Sequence, residues 1–528
     1  MKTLKKTWLR DVLLITLIYF LIHGFILVLT GTFHDDWLSY FMDVTTKDME
    51  GFESGRPYYS YIIELVWNLP GYSYRILVFI TYWIIYILTY GTLSYVKGVT
   101  RWDALLITII VIAVPVNDAR VLLANYPYAL GMMFFYWASF MLTKSISHLN
   151  TLGTRLIILL LYALSFTLNS NLVLYGLVLL YLVLAIGFRR IIAISDFIIL
   201  PIAFYFFNRW FFPVYGAYVD YNLVTFDRIV WAIKSLPEIL RNTAISFLRY
   251  EFSDIHLVWI ALFICTVFLC IEYYLGNRKA HDLKKSQTSK THQHPNPVND
   301  DTKIENSSPT IFFFGIISLI AGLFPYVVVR QNPDISMVGI QGRDSMQIGL
   351  GIALIIYGAL NRRMRIGIIT FIVVVGIFHF NSWYLNYQTE WYRQLSFQKE
   401  VIEIDAIQSG GNFIVDCKNT SSIGDRRFYT WSGNAVAVTG KRNVFMLNGD
   451  NDAAILENKK VMELILTHYP MYRDYTMDHL TIDGKMEFNC EISKHDTIRL
   501  KFNELFHQDA FNQEIDTIGT MSYSSYTN

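Results

Sequence analysis

The chain has 528 residues, of which 53% are hydrophobic and 16% aromatic, and its formal net charge is +1. That balance leaves no acidic or basic surplus for nucleic acid and describes a lipid-embedded body.

The first apolar segment follows a basic leader, Lys2, Lys5, Lys6 and Arg10, with no small-residue cleavage site behind it. It therefore reads as a retained helix, not a removed signal peptide. Apolar stretches of about 17 to 22 residues, enough to cross about 30 Å of hydrocarbon, recur along the chain. They predict about eleven spans, at 12–30, 72–92, 102–117, 121–143, 153–169, 171–188, 191–208, 255–275, 310–328, 345–360 and 366–382. With the N-terminus on the cytoplasmic side, the inner segments carry Lys97 and Arg101, Lys144 and Arg155, Arg189 and Arg190, the stretch 276–309, and Arg362, Arg363 and Arg365. Each is basic, as orientation by positive charge requires. The outer segments are then 31–71, Asn117 to Arg120, the turn at Ser170, 209–254, 329–344 and everything after about 383.

The first span runs out into His34-Asp35-Asp36-Trp37, two adjacent carboxylates and a histidine where hydrocarbon ends. Ionisable groups so close to lipid are costly and mark a site. One of two adjacent acids can take a proton while its neighbour holds a cation or a hydroxyl; the bland alternative is that they cap the helix and pair with Arg56. The same loop continues through Ser54-Gly55-Arg56-Pro57 and several tyrosines, and 56–69 reads as an amphipathic interfacial helix with Pro57 in its first turn.

Further outer-side candidates follow in chain order. Asp118 and Arg120 separate two apolar helices and either face the outer cavity or pair with each other. Asn171 belongs to a polar turn with Asn169 and Ser170, suited to sugar contacts or simply to a tight turn. The segment 209–254, with five basic residues among aromatics, is expected to be re-entrant or interfacial. Arg330 and Arg343 stand at outer helix ends, where a guanidinium offers planar donors to phosphate oxygens. Arg343 is preferred because Arg330 can snorkel; pairing with Asp344 is its alternative.

Segment 276–309 has too few apolar residues to bury and reads as a disordered cytoplasmic linker between an N-terminal membrane module, 1–275, and a second one, 310–382. The remainder, 383–528, predicts a small mixed α/β domain outside the membrane. Its expected strands lie at Phe413 to Val415, Phe428 to Trp431, Ala435 to Val438, Val444 to Leu447 and Met486 to Cys490, with a helix over 460–468. Cys417 and Cys490 are candidates for a disulfide there.

The acid pair after a first span, the lipid-level helix of the first outer loop and the count of spans resemble the GT-C superfamily of polyprenyl-phosphate-sugar-dependent glycosyltransferases. Asp35-Asp36-Trp37 followed by Ser54-Gly55-Arg56-Pro57 is similar to the bacterial GtrII-like glucosyltransferases. The architectural resemblance covers about residues 1–385, and the residue-level match is confined to the first loop. It implies a polytopic α-helical membrane protein of GT-C type in a bacterial plasma membrane. It also implies inverting transfer of a glucose-like hexose from a polyprenyl-phosphate donor to a cell-surface polysaccharide or glycolipid acceptor on the outer face. Asp35 or Asp36 would be the base and Arg343, helped by Arg56 or Arg120, the phosphate ligand, with His34, Asp118, Asn171 and Arg330 as further substrate contacts. No metal is obligatory, but a divalent cation on Asp35 and Asp36 is compatible with the family. The competing readings are a transporter or flippase of lipid-linked saccharides, which would carry ionisable groups near the midplane and related halves, and a non-catalytic envelope assembly protein.

Overall fold

The computed structural model describes residues 2–33, 35–41, 51–69, 72–146, 151–187, 192–219, 224–251, 257–267, 308–331, 339–418, 428–449, 452, 454–478 and 480–525. The chain is a helical membrane protein. Among the described residues five helices are long and apolar enough to cross a bilayer: Thr7–Val28, Tyr74–Tyr95, Ile192–Phe211, Pro309–Val328 and Met364–Ile402. The other expected windows hold helices that are shorter or more polar, among them Arg101–Ala113, Tyr126–Lys144, Asn171–Ile186 and Gly349–Ala359. Of the expected linker 276–309, all but the last two residues lie outside the described residues, as does the end of the 255–275 window.

The window at 102–117 stops short for a local reason. Proline disfavours the helical conformation of the residue before it, and Val114, which precedes Pro115, is extended at ψ 130°. From Val114 to Asn125 the chain runs in 3-10 turns and extended backbone, and every one of these residues is buried. Irregular backbone at this depth survives only inside protein. Elsewhere the packing is tight because small residues allow it. A β-carbon on Gly351 would meet Leu319 backbone at 2.5 Å, so helices Ser308–Val328 and Gly349–Ala359 approach at backbone distance.

The helix of the last expected span runs on past 382. Arg362–Ile402 is one helix of 41 residues, about 60 Å at 1.5 Å per residue, and its second half is the first element of the tail domain. That domain has a four-stranded sheet of order β2-β1-β3-β4, with β1 (Gly411–Cys417), β2 (Val444–Asn448), β3 (Gly484–Cys490) and β4 (Gly519–Ser525). β1 lies parallel to β2 and β3, and β4 closes the edge antiparallel to β3. Phe397 and Tyr392 of the long helix share a core with Phe413, Trp431, Met446 and Phe488. Two expected strands, 428–431 and 435–438, form a single helix, Phe428–Thr439. Residues Tyr429 to Val436 are buried throughout, so no face alternates with solvent and the apolar run carries no period. Cys417 and Cys490 stand on neighbouring strands, and the expected disulfide between them is not formed.

Candidate active site

The exit of the first span is strapped from two sides. Thr30 N–H donates to Gln388 Oε1 at 3.0 Å, and the Gln388 amide donates back to Thr30 Oγ1 at 2.8 Å. Gly31 has φ +112°, and a β-carbon there would lie 2.5 Å from the Trp391 ring, so only glycine lets the chain cross the long helix so closely. Arg75 donates to the Gly31 carbonyl at 2.6 Å while its guanidinium lies 5.1 to 5.3 Å from the ring centres of Phe33, Tyr72 and Tyr74. The backbone leading into the acid pair is thereby fixed.

Asp36 begins the short helix Asp36–Phe41 and is 1% exposed. Its Oδ1 accepts from the Ala124 N–H at 3.0 Å, supplied by the buried loop 114–125. Among the described residues its Oδ2 has no hydrogen-bond partner. Burial pushes this carboxyl up to about 7 against the opposing pull of the Ala124 and Leu123 N–H groups and of Arg75. A cavity of about 300 Å³ opens beside it, lined by Thr32, Tyr40, Trp67, Leu69, Tyr72 and Tyr74. Aromatic walls around one carboxylate suit the apolar faces and hydroxyls of a sugar ring.

Asp35 faces elsewhere: its Oδ1 accepts from the Tyr429 hydroxyl at 2.7 Å. Trp37 donates to Gln394 Oε1 at 2.9 Å, and that oxygen also accepts from Asn434 at 3.1 Å. Leu38 and Phe41 pack into a second core of the tail domain. The helix that Asp36 begins is thus seated in the tail domain, and neither acid pairs with Arg56 among the described residues.

Helix Pro57–Trp67 begins at Pro57, as its sequence predicts, with Tyr61 and Leu65 exposed. Tyr59 on this helix donates to the Ala124 carbonyl, the same peptide loop whose N–H holds Asp36. Its ring packs edge-on against Tyr128 at 5.7 Å. Arg56 donates to the Tyr128 hydroxyl at 3.2 Å, and the Arg343 guanidinium lies 5.8 Å from the Tyr128 ring centre. Two arginines therefore converge on one tyrosine, and Tyr59 is in electrostatic range of Arg343, Arg56 and Asp35. Arg343 sits in the turn Gly339–Ser345, which Ser345 ties to the buried loop by accepting from Asn117 N–H at 2.9 Å. Its neighbour Asp344 lies 3.7 Å from Arg343 Nε; burial raises that carboxyl to about 6, opposed by the arginine.

The other expected ligands are placed differently. Arg120 is 2% exposed and donates to the carbonyls of Asn117 and Val116; its NH1 lies 3.2 Å from His23 Nε2. Asp118 accepts from Tyr387 at 3.4 Å. Asn171 is spent on helix packing: its amide donates to the Gly131 and Ser165 carbonyls, and its Oδ1 accepts from Gln347. Arg330, with φ +64°, is exposed at a helix end over the Trp231 ring of the amphipathic helix Phe226–Glu251. His34 lies outside the described residues. Among the described residues no three His, Cys, Asp or Glu side chains cluster as a metal site would require.

Arg75 and Tyr429 are the additions that sequence reading passes over. Arg75 had a signal, being an arginine inside an apolar window. Tyr429 had none, because it reaches Asp35 across 394 positions of chain. No family model, curated protein or solved structure matches the chain.

Proposed function

We propose that the chain is a glycosyltransferase of the membrane surface that moves a hexose from a polyprenyl-phosphate donor to a polysaccharide or glycolipid hydroxyl. The observation that carries this reading is Asp36, buried, with one oxygen bound by a backbone N–H and the other without a partner among the described residues, beside an aromatic cavity. A carboxyl near pH 7 is matched to general-base work at neutral pH. The acceptor hydroxyl gives its proton to Asp36 Oδ2 as its oxygen forms a bond to the anomeric carbon. On the opposite face the bond from that carbon to the phosphate oxygen breaks, and polyprenyl phosphate leaves with the electron pair. Attack opposite the leaving group inverts the anomeric centre. Arg56 and Arg343, converging on Tyr128, supply the positive charge that the departing phosphate needs.

Asp35, held by Tyr429, positions the helix on which Asp36 stands. The reading is tested with the purified full chain in detergent, a polyprenyl-phospho-hexose and an acceptor glycan. Release of polyprenyl phosphate with an inverted glycosidic product is expected, and Asp36→Asn is expected to lower turnover by about 10²–10⁴-fold. Undiminished turnover in that variant would remove Asp36 as the base.

A further inference from the structure

At the opposite end of the same helices lies a second and much larger cavity, of about 1470 Å³. Small-molecule sites occupy roughly 300–1,000 Å³, so this one is sized for a lipid. Its walls are apolar, with Leu106, Phe135, Leu174, Val178, Phe314 and Leu354 among the lining residues. Its lip is charged. Lys97 is exposed there and makes no ion pair among the described residues. Arg365 donates to the Tyr357 hydroxyl at 2.8 Å and stacks on that ring at 4.2 Å. The acid of the lip, Asp103, already accepts from Tyr357 and from the Thr100 N–H at its own helix start. Trp102 stands beside it, 51% exposed, as side chains at a lipid–water boundary do.

The far end of the cavity is polar. Gln347, 4% exposed, donates to Ser170 at 2.6 Å and to Asn171 at 2.9 Å, and its Oε1 has no donor among the described residues. We propose that this cavity binds an anionic phospholipid, its acyl chains in the apolar interior and its phosphate against Lys97 and Arg365. The unmatched Gln347 oxygen then faces a water molecule beyond the chain ends. A polyprenyl donor is the poorer occupant, because in the proposed transfer its phosphate belongs with Arg56 and Arg343 at the other end and would leave the lip without a phosphate. The choice against a polyprenyl donor rests on the proposed function; the apolar interior and the charged lip do not.

The test uses the full chain, purified and delipidated in detergent and titrated with phosphatidylglycerol, phosphatidylcholine or polyprenyl phosphate. Native mass spectrometry reads binding, and the thermal midpoint reads stabilisation. Phosphatidylglycerol is expected to bind and raise the midpoint. Lys97→Glu, a change at an exposed position, is expected to weaken it about tenfold, since each basic residue near a lipid phosphate adds roughly 1 kcal/mol. Ser318→Trp, which places an indole in the cavity, is expected to abolish binding while circular dichroism stays unchanged. Equal binding of phosphatidylcholine, unchanged affinity in Lys97→Glu, or binding of polyprenyl phosphate alone would each overturn the proposal.

Discussion

Replacing Asp36 by asparagine separates the cost of burying a carboxylate from its use. The amide keeps an oxygen for the Ala124 N–H but carries no titrating proton. In the folded chain the carboxyl holds its proton up to about pH 7, against an ordinary value of 3.8. Below pH 4 both folded and unfolded chains are protonated, and the acid imposes no penalty. As pH rises from about 4 to 7 the unfolded carboxyl ionises first, so folding loses stability steadily. Above pH 7 the loss levels off at about 4 kcal/mol, taking 1.36 kcal/mol per pH unit between the two values. Asp36→Asn is therefore expected to raise the thermal midpoint at pH 8 by several degrees and to lose that advantage towards pH 4.5. Thermal unfolding in detergent across that range reads it directly. A gain that does not vary with pH, or a variant less stable than the parent at pH 8, would refute the reasoning.

Arg343→Ala removes one of the two charges proposed to face the departing phosphate, and a contact of that kind is worth roughly 1.5–3 kcal/mol. Donor affinity should fall about 10- to 100-fold with acceptor affinity held, measured by separate titrations; equal donor binding would sink the phosphate role. Tyr429→Phe takes the hydrogen bond from Asp35 and is expected to lower turnover about tenfold, on the same scale of charged hydrogen bonds, without shifting the pH at which the rate rises. Gly31→Ala drives a methyl group into Trp391 at a positive φ, and should cost about 2–4 kcal/mol of stability, seen as a lower thermal midpoint in either pH range.

The membrane character of the chain was legible because apolar length is a direct signal, and the acid pair stood out because carboxylates at the edge of hydrocarbon are costly. Pro57 announced the helix it begins. What the sequence could not show was convergence. Ala124 N–H holds Asp36 only because Pro115 breaks the preceding helix and sends the buried loop back beneath the first span, and a backbone donor has no residue type to read. Tyr429 looked like part of a strand, since its helix is covered on all sides and lacks a polar face. Arg120 looked like an outer ligand by its position between two apolar runs, but its donors go to the carbonyls of Asn117 and Val116 and towards His23. Asn171 was legible as part of a polar turn, but its partner was not: Gln347, 176 positions away, donates to its oxygen.

The central claim is that Asp36 is the base of the transfer, and the pH dependence of polyprenyl phosphate release tests it most directly. With a base whose carboxyl lies at about 7, kcat/KM should rise with pH through that value and level off above it. In Asp36→Asn the residual rate should be flat across the same range. A rising limb that persists unchanged in Asp36→Asn would contradict the account.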